Sequence, residues 1–388
     1  MIVKEVSGMT VRKLRAALTA VLLGTAALGA GALALAIPAQ AATVSHQVGA
    51  LLQEAQTMAN AGNYRGAMAK INEAESAPGK TSDDTAVISQ MKNFVAVKSG
   101  DASIGGKAGA LAKFSNDYNA GKYRDAIADG DMLKKYDAMT PQNQLIIGQA
   151  YFKLNDFAGC VRYSKSLPQS DTALELQARC AYEIGDEVTQ RQALEALVGR
   201  TGKPEYWNGL LKLGERARGL SDHNTLDINR LRLLTGSMKS KDDYISLGQF
   251  ALQFGFAAEA QAAMQKGADA KLLIDDRSLR LLTTAKTMAA AKLANEAKAL
   301  AAANAAPQGD DLIAAGENMI GEGKAKDAVA TIQSGLKKPL KDPNNGQIRL
   351  GQALLAAGQK AEAKAAFAKV KTPEKDAMVA HLWSLAVR

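Results

Sequence analysis

Six short segments of this chain can be laid over one another on a single turn residue. Around Gly62, Gly121 and Asn155 the chain reads "GNYRGAMAKINEA", "GKYRDAIADGDML" and "NDFAGCVRYSKSL". Around Gly255, Gly323 and Gly358 it reads "GFAAEAQAAMQKG", "GKAKDAVATIQSG" and "GQKAEAKAAFAKV". Five positions after the turn residue every segment has a small side chain: Ala67, Ala126, Cys160, Ala260, Ala328 and Ala363. Nine positions after it stand Ile71, Met264, Ile332 and Phe367, with Gly130 and Ser164 departing from the rule. Seven positions before it stand Ala55, Gly148, Gly248, Gly316 and Gly351, and Phe114 is the exception. The spacing is 34 residues from Gly121 to Asn155 and 35 from Gly323 to Gly358. Gly185 to Gly255 is 70 and Gly255 to Gly323 is 68, each near two units. A period near 34 holds two helices joined by a tight turn.

The residue types fit that geometry. A glycine at the turn can take the left-handed conformation that ends a helix, and small residues let paired helices approach closely. Apolar residues make up 47% of the chain but aromatics only 5%. That balance of alanine and leucine suits packed helices rather than sheets. Two units are less regular: 172–200 around Gly185, and 204–235, where "GLSDHNTLD" reads as a break longer than a turn. A degenerate unit is expected between Gly255 and Gly323. The stretch 98–110, "KSGDASIGGKAGA", reads as a glycine-rich hinge or loop between N-terminal hairpins (42–97) and the main array (111–388). The pairs Asp83-Asp84, Asp242-Asp243, Asp275-Asp276 and Asp310-Asp311 open helical patterns, where carboxylates cap free N–H groups and oppose the helix dipole.

This pattern resembles the tetratricopeptide repeat family, most closely over residues 144–160, 244–267 and 312–339. The stretches "KPEYWNGLLKL" and "DDYISLGQFALQFGFAAEA" are also similar to exported repeat proteins of Gram-negative envelopes. The resemblance covers nearly the whole chain after residue 41. It implies an all-α fold, a right-handed α-solenoid of about eight or nine such hairpins, and a protein- or peptide-binding role.

Residues 1–41 read as a signal peptide. Lys4, Arg12, Lys13 and Arg15 precede the apolar run "AALTAVLLGTAALGAGALALAI", and Ala39-Gln40-Ala41 follows Pro38 as a cleavage pattern. Cleavage there gives a periplasmic protein with no stable membrane insertion. The alternative is an inner-membrane anchor through residues 16–37. The leader carries +3 of the net +9, leaving +6 on the rest. No basic run is interleaved with aromatics, so nucleic acid is not an expected partner.

Signals for chemistry are weak. "APGKTS" at 77–82 ends like a phosphate-binding loop, but Ala74 stands where its first glycine belongs and no strand precedes it. In "SIGGKAG" Asp101 and Ala108 break the same pattern. His46, His223 and His381 fall in different units, which argues against a zinc site. No catalytic residue, metal or cofactor is implied, and the chain does not read as an enzyme. Cys160 and Cys180 lie on helices that pack directly, and an oxidising setting permits a disulfide between them. Two buried free thiols are the alternative.

In the family that the sequence resembles, the residue after the small position of the first helix points into the concave groove. Here these are Gln56, Ser115, Gln149, Arg179, Gln249, Glu317 and Gln352. Glutamine amides can pair with an extended peptide backbone. Tyr118, Phe152, Lys153 and Tyr182 lie farther along the same helices. Gln149, Phe152, Lys153, Arg179, Tyr182 and Gln249 are therefore the candidate partner-binding groove. The family's lysine-and-asparagine clamp for C-terminal carboxylates is not reproduced. The leading expectation is a periplasmic scaffold that binds a protein or peptide and supports assembly of an envelope complex. The alternatives are a carrier of a small or lipidic ligand in the solenoid curve and an accessory subunit of an envelope enzyme.

Overall fold

The computed structural model describes residues 44–388. The leader, its cleavage site and the anchor alternative lie outside the described residues. Among the described residues there are nineteen helices and no strand, and no helix is long and apolar enough to cross a membrane. The chain divides into two compact units, one through Lys92 and one from Asn93 to Arg388.

The first unit contains the hairpin α1 (His46–Asn60) and α2 (Tyr64–Ser76), and the start of α3 (Ser82–Ser99). Asp84 accepts hydrogen bonds from the backbone N–H of Ser45 at 2.8 Å and of Thr81 at 3.0 Å. It thus ties the chain before α1 to the start of α3. These backbone donors hold its carboxyl below the usual range.

The second unit is a succession of antiparallel pairs. They are α4 (Ala102–Asn119) with α5 (Tyr123–Lys135), α6 (Pro141–Lys153) with α7 (Phe157–Lys165), and α8 (Asp171–Glu183) with α9 (Glu187–Thr201). Next come α10 (Pro204–Glu215) with α11 (Asp222–Leu234), and α12 (Lys241–Gln253) with α13 (Ala257–Asp269). After the single helix α14 (Asp276–Ala305) follow α15 (Asp310–Gly321) with α16 (Ala325–Gly335), α17 (Pro343–Ala356) with α18 (Lys360–Phe367), and the last helix, α19 (Glu374–Leu385). With α1 and α2 this makes eight two-helix hairpins among the described residues. The chain is an all-α repeat array.

The aligned turn residues have the conformation that their type suggests. Gly62, Gly121, Gly185, Gly255, Gly323 and Gly358 have φ between 70° and 80°, and Asn155 has φ 57°. At one such turn the N–H of Gly255 donates to Leu252 and that of Phe256 to Ala251, which satisfies carbonyls left open by α12. The small residues five positions later are all fully buried.

The glycines of the first helix have a more specific partner than a small residue on its mate. A Cβ on Gly248 would lie 2.8 Å from Cγ of Met264, and one on Gly316 or Gly351 would collide with Ile332 or Phe367. In each hairpin the bulky residue of the second helix rests on the bare backbone of the first. Where α7 has Ser164 at that position, Leu176 from α8 reaches over Gly148 instead.

Three expectations need correction. The stretch 276–305 is one continuous helix, not a degenerate hairpin. It contains no glycine or proline, and its alanine, leucine and lysine favour helix throughout. Residues 98–110 are not a loop: α3 ends at Ser99, Gly100 turns with φ 57°, and Asp101 caps α4. The glycine effect is confined to a kink at Gly106, with φ 54°. Finally, "GLSDHNTLD" is mostly helix. Ser221 and Asn224 form a capping box that starts α11 at Asp222.

The array also closes on itself at its C-terminal end. α19 packs against α9, α10, α11, α17 and α18, and Arg388 donates to the carbonyl of Val198. Trp207, Leu210, Leu211, Ile348, Phe367 and Trp383 share one core as a result.

Candidate functional site

Three successive first helices, α4, α6 and α8, present the candidate groove. Tyr118 of α4 donates to Oε1 of Gln149 on α6 at 3.3 Å. Burial pushes the Tyr118 phenol up, so it is a neutral donor at pH 7. One turn further along α6, Phe152 lies under the guanidinium of Arg179 on α8, with Cζ 4.0 Å from the ring centroid. Phe152 also meets Phe157 edge-on at 5.1 Å. These contacts run from helix to helix and hold the strip in one geometry.

The strip is cationic as well as aromatic. Arg179 and Lys153 are exposed, and neither has an ion-pair partner among the described residues. At the far end Tyr182 is 56% exposed, and Ile184 and Val188 at the α8–α9 turn are 46% and 64% exposed. One exposed ring, Tyr182, the half-buried Phe152 and two cations without ion-pair partners are residue types that binding hot spots use. Beneath the strip, Cys160 of α7 and Cys180 of α8 are joined by a disulfide with Cα atoms 6.0 Å apart. Both are fully buried.

The other groove positions go elsewhere. Gln249 is exposed on α12, two hairpins beyond Arg179, and no hydrogen bond or ring contact joins it to the strip. Gln56 lies in the first unit. Glu317 and Gln352 are not groove residues at all: they are 2% and 5% exposed. They belong to an internal ionic cluster that the sequence reading missed.

That cluster fills the curve of the second unit. Arg349 of α17 grips both carboxylate oxygens of Asp227 on α11, and Gln352 donates to Asp227 at 2.9 Å. Glu317 of α15 accepts from Arg349 at 2.9 Å and from Arg230 at 2.6 Å. Arg230 in turn holds Glu259 of α13 through two bonds of 2.6 Å. Burial pushes the Glu317 carboxyl up, but Arg349 and Arg230 outweigh it and hold it well below its ordinary value. The only sequence signal was the polar character of α11, whose Asp227 and Asn229 are nevertheless buried. Asp227 and Arg230 bond each other within α11, but their partners on other helices are 29 to 125 residues away in the chain. Among the described residues, no group of three or more His, Cys, Asp or Glu side chains is placed to hold a metal ion.

No protein-family model and no curated protein matches this chain. Among solved structures, the Naa15/Naa10 complex bound to HypK-THB aligns with 83% of the chain at 11% identity and a TM-score of 0.32. The APC/C hetero-tetramer Cut9–Hcn1 aligns with 76% at 12% identity and a TM-score of 0.25. Acl4, an assembly chaperone of RpL4, aligns with 63% at 14% identity and a TM-score of 0.19. The chain spans 52% of the first of these structures and 64% of the second. At these scores the fold assignment rests on the hairpin geometry described above.

Proposed function

We propose that the protein is a protein-binding scaffold of the periplasm that receives an extended, acidic segment of a partner along the Tyr118–Tyr182 strip and supports assembly of an envelope complex. The observation that carries this reading is the pairing of Arg179 with Phe152 beside the unpaired Lys153. The strip has two positive charges without ion-pair partners, which an acidic segment complements, and one exposed ring, Tyr182. The Gln149 amide is placed to hydrogen-bond the backbone of such a segment. The leader pattern of residues 1–41 and the disulfide between Cys160 and Cys180 both favour an oxidising, exported setting.

The test is affinity capture from envelope extracts with the wild-type chain, Arg179→Glu and Lys153→Glu. Both positions are exposed, so Lys153→Glu should cost no more than about 0.5 kcal/mol, and Arg179→Glu about 0.5–1 kcal/mol through the lost stacking on Phe152. Charge reversal should weaken capture of the partner at least tenfold. Unchanged partners in both variants would overturn the assignment of this strip.

A further inference from the structure

The ionic cluster does not fill the curve completely. A cavity of about 180 Å³ opens beside it, where the starts of α11, α15 and α17 meet the α12–α13 turn. Its volume equals roughly six waters and falls below the ~300–1,000 Å³ typical of sites for whole small molecules. It has room for one side chain.

Three kinds of group line it. His223, Phe254 and Phe256 form an aromatic wall, with His223 stacked on Phe254 at 4.1 Å and 2°. Ile313 and Ala314 are the aliphatic wall. Asp310, Asp342 and Glu317 are the acidic rim and floor, and no lysine or arginine lines the cavity. Asp310 and Asp342 each accept a backbone N–H, from Lys341 and Asn345, which leaves further lone pairs on both. Glu317 is already paired, with Oε1 2.6 Å from Arg230, 2.9 Å from Arg349 and 3.5 Å from Nε2 of His223, which faces it.

The aromatic wall already attracts cations. Arg230 lies 5.2 Å and Lys292 5.7 Å from the centre of the Phe256 ring. An occupant with an apolar stem and a cationic head would place the stem against Phe254 and Ile313. Its head would donate to the lone pairs that Asp310 and Asp342 keep beyond their one backbone N–H each.

We infer that this cavity is a receptor for one lysine or arginine side chain of a partner protein. The site is independent of the Tyr118–Tyr182 strip, because it has the opposite charge and shares no residue with it. Failure of either assignment leaves the other standing.

Calorimetric titration with short peptides that carry a central arginine, lysine or norleucine tests it, with butylamine as a fourth probe. The arginine and lysine peptides should bind saturably and the norleucine peptide should not. Asp310→Asn combined with Asp342→Asn keeps the oxygens that accept from Lys341 and Asn345 and should weaken binding at least tenfold. Ala314→Arg places a guanidinium at the cavity rim and should abolish binding, with circular dichroism confirming the fold of each variant. No binding by any peptide, equal binding of the norleucine peptide, or full binding by the double variant overturns the proposal. Butylamine binding as tightly as the lysine peptide overturns the protein partner in favour of a free amine.

Discussion

Arg349 and Asp227 are 122 residues apart in the chain and joined by two hydrogen bonds in a site where both are about 1% exposed. The pair fastens α17 to α11 across the curve. A charge buried this deeply is costly to strand and inexpensive to remove together with its partner. Arg349→Met should therefore cost about 3–5 kcal/mol, read as a shift in the urea midpoint. Asp227→Leu with Arg349→Met should recover most of that loss, because Glu317 keeps Arg230. A double variant as unstable as the single one would mean that the pair organises the curve by more than its charge.

The glycine-on-bulky rule makes opposite predictions for two helical glycines. A methyl group on Gly351 would collide with the Phe367 ring, a rigid neighbour. Gly351→Ala gains about 1 kcal/mol of helix propensity and loses about 1–3 kcal/mol to overpacking, so a net loss is expected. Gly199 of α9 is exposed and has no atom within 4 Å of an added Cβ. Gly199→Ala should stabilise by about 0.5–1 kcal/mol. Thermal melts of the two variants should move in opposite directions.

His381 of α19 lies 3.2 Å from Glu195 of α9. Its hydrogen bond to Glu195, together with that carboxylate's charge, outweighs burial and Arg191 and raises the imidazole above its ordinary 6.5. A proton held more tightly in the folded chain stabilises fully below the unfolded value, and the contribution disappears as pH rises through the folded one. The urea midpoint of the wild type should fall as pH rises upward from about 6.5. His381→Gln should flatten that slope, and a slope identical in both would remove His381 as its source.

The Cys160–Cys180 bond closes a separation of 20 residues. Cys160→Ala with Cys180→Ala should cost about 3 kcal/mol through the released unfolded chain. Because the bond lies under the strip, the same variant should also loosen the Phe152–Arg179 contact. Hydrogen exchange at the ends of α6 and α8 would register that as faster exchange.

Much of the architecture is written locally. The turn glycines, the buried small residues five positions on and the helical caps each follow from a residue's own backbone and its nearest turn. Asp275, for example, accepts from the N–H of Ser278, as an N-cap should. The proximity of Phe152 to Arg179 was legible too, because the two stand at matching register positions on neighbouring first helices. Where local signals were absent, the reading went wrong in an interpretable way. The continuous α14 lacks any breaker to reveal that the period lapses.

The sequence by itself determined the helices, their pairing and the order of the array, since these depend on contacts within one repeat or between adjacent ones. The tertiary structure decided how the second unit ends. Register placed Glu317 and Gln352 in an open groove, but α19 folds back on the middle of the array and the curve fills with ion pairs. A buried charge is tolerable only beside its partner, and the partners of Asp227 and Arg230 lie on helices that a repeat period does not bring into view. The cavity beside them is likewise set by how far the array curls, a sum of small packing choices in many hairpins.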